Sequence, residues 1–323
     1  MKTTFGNMLH AAILALGMTA VTGAAQAQYP AKPIRLIVPF AAGGASDTAA
    51  RSLGQVLAKS LGQPLIIENR PGAGGAIAAQ AVLTAPADGY TLLWGAASMV
   101  AIPLLQKSAP FQSFAEFTPI SLAGRLTYCV YVHPGVPAKS IGEFITYARS
   151  LPGKLSYATG SLGEYMVTAQ LIKSAGLDMV QVPYKGGAQA MPDLIAGRVQ
   201  LNIGPFAGGF PHVKAGKLRM LATLLPQRSP ETADIPTLTE AGVQNVSSPT
   251  WQAIFAPPKT PQAIVDRLAG EVMLALRDAG LRTQFERQAV RGESSTPGAL
   301  AALVAEDTET WRRFIRENNI PQE

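Results

Sequence analysis

Residues 29–51 read YPAKPIRLIVPFAAGGASDTAAR. The stretch PIRLIVPF is short, apolar and β-rich, and it ends at Gly43-Gly44. Beyond the glycines, Leu53, Val56, Leu57 and Leu61 recur at i, i+3, i+4 and i+8, the spacing of one helix face, and Gly62 stops the run. A strand therefore meets a glycine pair and then a helix. Phosphate loops share that outline, but they end in Gly-Lys-Ser/Thr, and AAGGASDTAA holds no lysine. The later PGAGGAIAA lacks the third glycine of a dinucleotide fingerprint. What remains is simpler. Glycines let a ligand approach backbone, and a helix start points free N–H groups at it, which suits an anion without any cationic side chain. Ser46 is read as a helix cap or a donor to a ligand oxygen. Asp47, in the first turn, is read as a cleft residue or as a stabiliser of the helix dipole.

The same grammar continues outward. PLIIEN is a second strand, RPGAGG a glycine-rich turn opening a helix over 76–84, and DGYTLLWGA a third strand. LTYCVYVHP, LSYAT, MVQVPY, VQLNIGPF and LRMLATLL are further strands, with helices between several of them. Strands alternating with helices predict α/β architecture and largely parallel sheets. YATGSLGE, residues 157–164, repeats the strand–small residue–helix junction, with Tyr165 to Ala175 helical. Two helix ends facing one space would clamp a carboxylate. SLAGRLTYCVYV and SSPTWQAIFAPP read as crossings between two domains, the second leading to a helix capped by Thr260, and a last helix starts near Pro297. Two linkers make a hinge, and ligands favour the cleft beside it. The division expected is 1–27 signal peptide, 28–124 and 247–323 first domain, and 125–246 second domain.

The first 27 residues have a basic start, an apolar run over 8–20 and the small-x-small triplet Ala25-Gln26-Ala27. That is the pattern of a secretory signal cleaved after Ala27. A soluble periplasmic protein is expected, and a monomer. The single cysteine, Cys129, leaves no internal disulfide and reads as a buried structural thiol. The net charge of +6 is scattered without a basic run, which gives no support to nucleic-acid binding and either mildly favours anionic ligands or only serves solubility.

Enzymatic readings find little to stand on. Beyond the signal the histidines are His133 and His212, each near a proline and read as loop residues. No Gly-x-Ser-x-Gly elbow is present. Isolated histidines without paired carboxylates argue against a metal site. No catalytic residue, metal or cofactor is expected.

Taken together, the blocks from YPAKPIRLIVPFAAGGASDTAAR through IIENRPGAGGAIAA, DGYTLL, VPYKGGAQAMPDLIAGRV, AGKLRMLAT and IPTLTEAG to FAPPKTP stand in a telling order. It resembles that of the Bug family, the periplasmic substrate-binding proteins of tripartite tricarboxylate transporters. The resemblance implies a two-domain type II periplasmic-binding-protein fold with its ligand cleft between the domains. Family members take up citrate-like acids, dicarboxylates, amino acids, aromatic acids or nicotinate-type compounds. A membrane permease would be the partner, or, as an alternative, a sensor kinase; an enzyme on the same fold is a third reading. Two loops are implied to hold the ligand carboxylate. One matches Pro39 to Asp47 and brings Phe40, Ala42, Gly43, Gly44, Ser46 and Asp47. The other matches Ala158 to Glu164 and brings Thr159, Gly160, Ser161 and Glu164. Ala97, Ser98, Gly204 and Pro205 fall at cleft positions. The second loop departs from the family pattern: it reads TGSLGEYMV, shorter and with an acid at Glu164. If Glu164 faces the cleft, a monocarboxylate, or an acid with a donor at its far end, is expected rather than a plain dicarboxylate; otherwise Glu164 points to solvent and favours the helix start.

Overall fold

The computed structural model describes residues 29–225, 227, 228, 232–246 and 249–322. The expected signal peptide lies outside them. The opening stretch folds as read. β1 (Ile34–Val38) leads through the glycine pair into α1 (Ala45–Leu61). Gly62 ends α1 in the left-handed conformation, φ +67°, which glycine adopts without strain. Leu53, Leu57 and Leu61 are buried on one face of α1, each burial contributing about 2 kcal/mol. β2 (Leu65–Asn69), α2 (Ala76–Leu83) and β3 (Thr91–Ala96) complete two crossover units, so β1 pairs in parallel with both β2 and β3. The short α3 (Ile102–Leu105) follows.

β4 (Thr118–Leu126) belongs to this first sheet, whereas β5 (Tyr128–Val132) belongs to the second. The chain changes sheet at Thr127. The second sheet then gathers α4 (Ile141–Arg149), β6 (Ser156–Thr159), α5 (Leu162–Ser174), β7 (Val180–Pro183), α6 (Gly187–Ile195), β8 (Leu201–Pro205), α7 (Phe206–Lys214) and β9 (Arg219–Thr223). The chain returns in β10 (Trp251–Ala256), then α8 (Gln262–Ala275), α9 (Ala279–Arg287), β11 (Val290–Arg291) and α10 (Pro297–Glu317). Strand order is β11-β4-β10-β3-β1-β2 in one sheet and β7-β6-β8-β5-β9 in the other. The two crossings touch: the Leu126 amide donates to the Thr250 carbonyl at 3.0 Å.

Both sheets are mixed rather than largely parallel. β5 and β10, the strands that follow the crossings, run antiparallel to both of their neighbours. They arrive from the other sheet instead of through a crossover helix, so nothing forces them parallel. Two helix starts also differ from the sequence reading. Ser161 caps α5, which begins at Leu162 rather than Tyr165. Thr260 gives its hydroxyl to the Pro257 carbonyl, and Pro261 holds the cap position of α8. Cys129 is buried in β5, and burial pushes its thiol up to about 12.

Candidate functional site

A cavity of about 310 Å³ opens between the two sheets, beside the crossings. Its wall takes Phe40, Gly43, Gly44, Ser46, Ala97, Ser98, Gly160, Ser161, Glu164 and Pro205 from the sequence-predicted set. The starts of α1, α5, α6 and α7 all reach it, through Ala45, Ser161, Gly187 and Ala207 respectively. Helix starts carry unpaired N–H groups and partial positive charge. No lysine or arginine stands on the wall among the described residues. The positive field is therefore supplied by backbone.

The α1 end is open to a guest. Gly44 caps it without any side-chain hydrogen bond, and Gly43 stands at φ +79°. Asp47 does not reach the cavity, which corrects the reading of it as a ligand residue. Its carboxylate turns back to accept the Gly43 amide at 2.9 Å, Asn69 Nδ2 at 2.8 Å and Arg51 Nε at 3.0 Å. Burial would push it up, but the bonds from Arg51, Gly43 and Asn69 outweigh that and hold it below the usual aspartate range. Asn69 also donates to the Phe40 carbonyl at 3.0 Å, so Asp47, Arg51 and Asn69 together set the shape of the loop.

Ser46 keeps its place on the wall but changes role. Trp94 Nε1 donates to Gln252 Oε1 at 2.7 Å, and an indole nitrogen can only donate, so the amide oxygen must face it. Ser46 Oγ lies 2.9 Å from the same oxygen and must therefore donate too. Its one proton is used inside the protein, and what it can offer the cavity is a lone pair. Gln252 Nε2 is held by the Trp251 carbonyl at 3.1 Å. Trp251 in turn donates its indole N–H to Asp307, whose buried carboxyl is pushed up to about 6.

Glu164 faces the cavity and is 3% exposed, which removes the surface reading. Ser161 caps α5 by accepting the Glu164 amide at 3.2 Å. The Glu164 carboxyl turns back as Asp47 does: Oε2 accepts the Gly160 amide at 2.7 Å and Asn202 Nδ2 at 3.3 Å. No lysine, arginine or histidine pairs with it among the described residues. Burial pushes it up to about 7 against the lowering effect of Gly160 and Asn202. Tyr128, buried beside it, is raised well above the usual tyrosine range, by burial first and by the Glu164 charge second.

The remaining predicted residues lie behind the wall. Ala42 is exposed in the loop between wall residues. Thr159 Oγ1 accepts Gln181 Nε2 at 3.0 Å and faces a neighbouring cavity of about 510 Å³. Gly204 has no room for a side chain, since an added Cβ would meet Asn202 Oδ1 at 2.7 Å. Sequence reading missed Tyr128, Asn202, Gly186, Gly187, Trp251, Gln252 and His212, all on the wall. Tyr128, Trp251 and Gln252 sit in or beside the recognised crossings. Asn202 is a polar residue inside an apolar strand, a signal present in VQLNI. His212 belongs to the last turn of α7 rather than to a loop.

The family model for the tripartite tricarboxylate transporter family receptor matches residues 49–320. BugT of Bordetella pertussis is 32% identical over 293 residues, covering 90% of each chain. Among solved structures, the periplasmic binding protein BugD superposes with a TM-score of 0.87 at 28% identity, covering 91% of this chain and 100% of its own. MatC of Rhodopseudomonas palustris, solved with bound malate, gives 0.82 at 31% identity, covering 89% and 100%.

Proposed function

This chain belongs to the tripartite tricarboxylate transporter family of receptors, and from that premise we propose that it binds a small carboxylate between its two sheets and hands it to a cognate membrane permease. The observation that carries this reading is the convergence of the α1, α5, α6 and α7 starts on one cavity with no lysine or arginine on its wall among the described residues. Backbone N–H groups at helix starts hold a carboxylate with partial positive charge and little reorganisation. Gly43 and Gly44 keep the α1 end free of side chains. Ser98, Ser161 and the amides at the α5 and α6 starts are the further contacts proposed. A volume of about 310 Å³ suits a small acid. The malate bound by MatC supports the ligand class without naming the ligand here. The signal-like first 27 residues and the BugD likeness support a periplasmic location, and the family supports permease delivery.

The reading is binding without turnover. Purified protein, titrated with a panel of small mono- and dicarboxylic acids, should be stabilised by at least one of them. At a hundredfold excess over Kd the gain is about 2.7 kcal/mol, visible as a raised melting temperature. The ligand should be recovered unchanged. Chemical conversion of it by the protein, or no response to any acid, would overturn the reading.

A further inference from the structure

Glu164 asks for something the protein does not supply. It is 3% exposed, it lines the cavity, and both hydrogen bonds to its carboxyl go to Oε2. Oε1 accepts no hydrogen bond among the described residues. The α5 start offers about half a unit of positive charge, which does not neutralise a full negative one. A buried carboxylate is tolerated when it is both hydrogen-bonded and paired with a cation. A neutral hydroxyl would fill a lone pair on Oε1 and leave the charge. A cation fills both needs, and among the described residues no basic side chain pairs with it. Ser46, whose proton is committed to Gln252, adds a second acceptor on the same wall.

We propose that the ligand carries a protonated amine in addition to its carboxylate, and that Glu164 Oε1 receives that ammonium. The inference rests on the receptor reading above and names the class of solute: an amino-bearing carboxylic acid, bound by its carboxylate at the helix starts and by its nitrogen at Glu164. Discrimination then works by repulsion as well as attraction, because a second carboxylate aimed at Glu164 meets an uncompensated like charge.

The test compares butyrate, succinate, γ-hydroxybutyrate and γ-aminobutyrate, with their shorter and longer homologues, by calorimetric titration at pH 8 and one ionic strength. Butylamine serves as an amine without a carboxylate. In the parent protein the amino acid of the best-fitting length should bind at least tenfold tighter than its methyl, hydroxyl and carboxylate counterparts. In Glu164→Gln, which keeps an oxygen for Gly160, that preference should fall to about threefold or less while the affinity for the plain monocarboxylate holds or rises. Unfolding profiles of both proteins confirm that the comparison is between folded chains. A parent that binds the monocarboxylate, hydroxy acid or dicarboxylate as tightly as the amino acid overturns the proposal. An unchanged preference in Glu164→Gln also overturns it. Binding of butylamine with no binding of any acid would overturn the carboxylate reading and leave the Glu164 pairing standing. No binding by any probe overturns both.

Discussion

The Gly43 loop and the Gly160 loop share one local plan and end in opposite electrostatic states. In each, an acid at the third position of a helix turns back and accepts the amide of the residue just before the helix cap: Asp47 to Gly43 at 2.9 Å, Glu164 to Gly160 at 2.7 Å. The plan is a variant of the capping box, shifted by one residue. The surroundings then diverge. Arg51, one turn after Asp47, reaches back to it, and Asn69 adds a further donor. The residue one turn after Glu164 is Thr168, which donates its hydroxyl to the Glu164 backbone carbonyl and leaves the carboxylate alone. Asp47 is consumed in shaping its loop. Glu164 keeps one oxygen free of protein hydrogen bonds among the described residues. A shared backbone motif thus says where an acid will sit and says nothing of whether its charge is spent.

The largest expected effect tests the unspent charge. Glu164 is raised from its usual 4.5 to about 7 in the folded protein. The folded state therefore holds a proton more tightly than the unfolded chain, so stability falls as pH rises from about 4.5 to about 7, and the full penalty stands above that window. The size is about 3 kcal/mol. Glu164→Gln has no such penalty. In urea titrations at pH 8 the variant should be more stable than the parent by up to about 3 kcal/mol, and the two should converge toward pH 4.5. A difference that stays constant across this range would mean that Glu164 has found a partner and that the two loops are not opposites.

Asp47→Asn should give a smaller effect of the other sign. Its folded carboxyl lies below the usual 3.8, so the stability it contributes is present above that value and is lost as pH falls through the lower folded one. At neutral pH the substitution removes charge-assisted bonds with Arg51 and Gly43, and Arg51 is about half exposed, which moderates the loss. About 2 kcal/mol of destabilisation is expected, shrinking in acid. A stabilised Asp47→Asn at neutral pH would show that this charge, too, is unspent.

Much of this was legible. The apolar run of β1, the glycine pair and the 3.6-residue periodicity of α1 all reported local preferences, and the structure keeps them. The stretches SLAGRLTYCVYV and SSPTWQAIFAPP were legible as β-rich, and β4, β5 and β10 run through them. The Asp47–Arg51 spacing was equally visible in the sequence as an i, i+4 pair. Other features depend on distant partners. That Ser46 is an acceptor follows only from Gln252 and Trp94, each far away in the chain. Tyr128, Asn202 and Trp251 reach the cavity because two sheets meet there, and no local period encodes that meeting. The antiparallel runs of β5 and β10 were hidden for the same reason: a strand's direction is fixed by the route of the chain before it.

The smallest effect separates the glycines of the two loops. An added Cβ at Gly160 would lie 2.1 Å from the Gly187 nitrogen, so that position is closed by backbone. At Gly43 an added Cβ meets nothing within 4 Å, but φ is +79°, where an L side chain is strained. Gly43→Ala should therefore fold and lose only the conformational term, about 1 kcal/mol. Gly43→Asn should lose less, because asparagine tolerates the left-handed region. Urea midpoints of the two variants against the parent measure this directly. A loss above about 3 kcal/mol for alanine would be an overpacking effect and would place Gly43 in a closed position like Gly160. Equal losses for alanine and asparagine would remove backbone strain as the cause. The expected order, with asparagine between parent and alanine, would show that the first loop needs glycine for its backbone angle and the second for want of space.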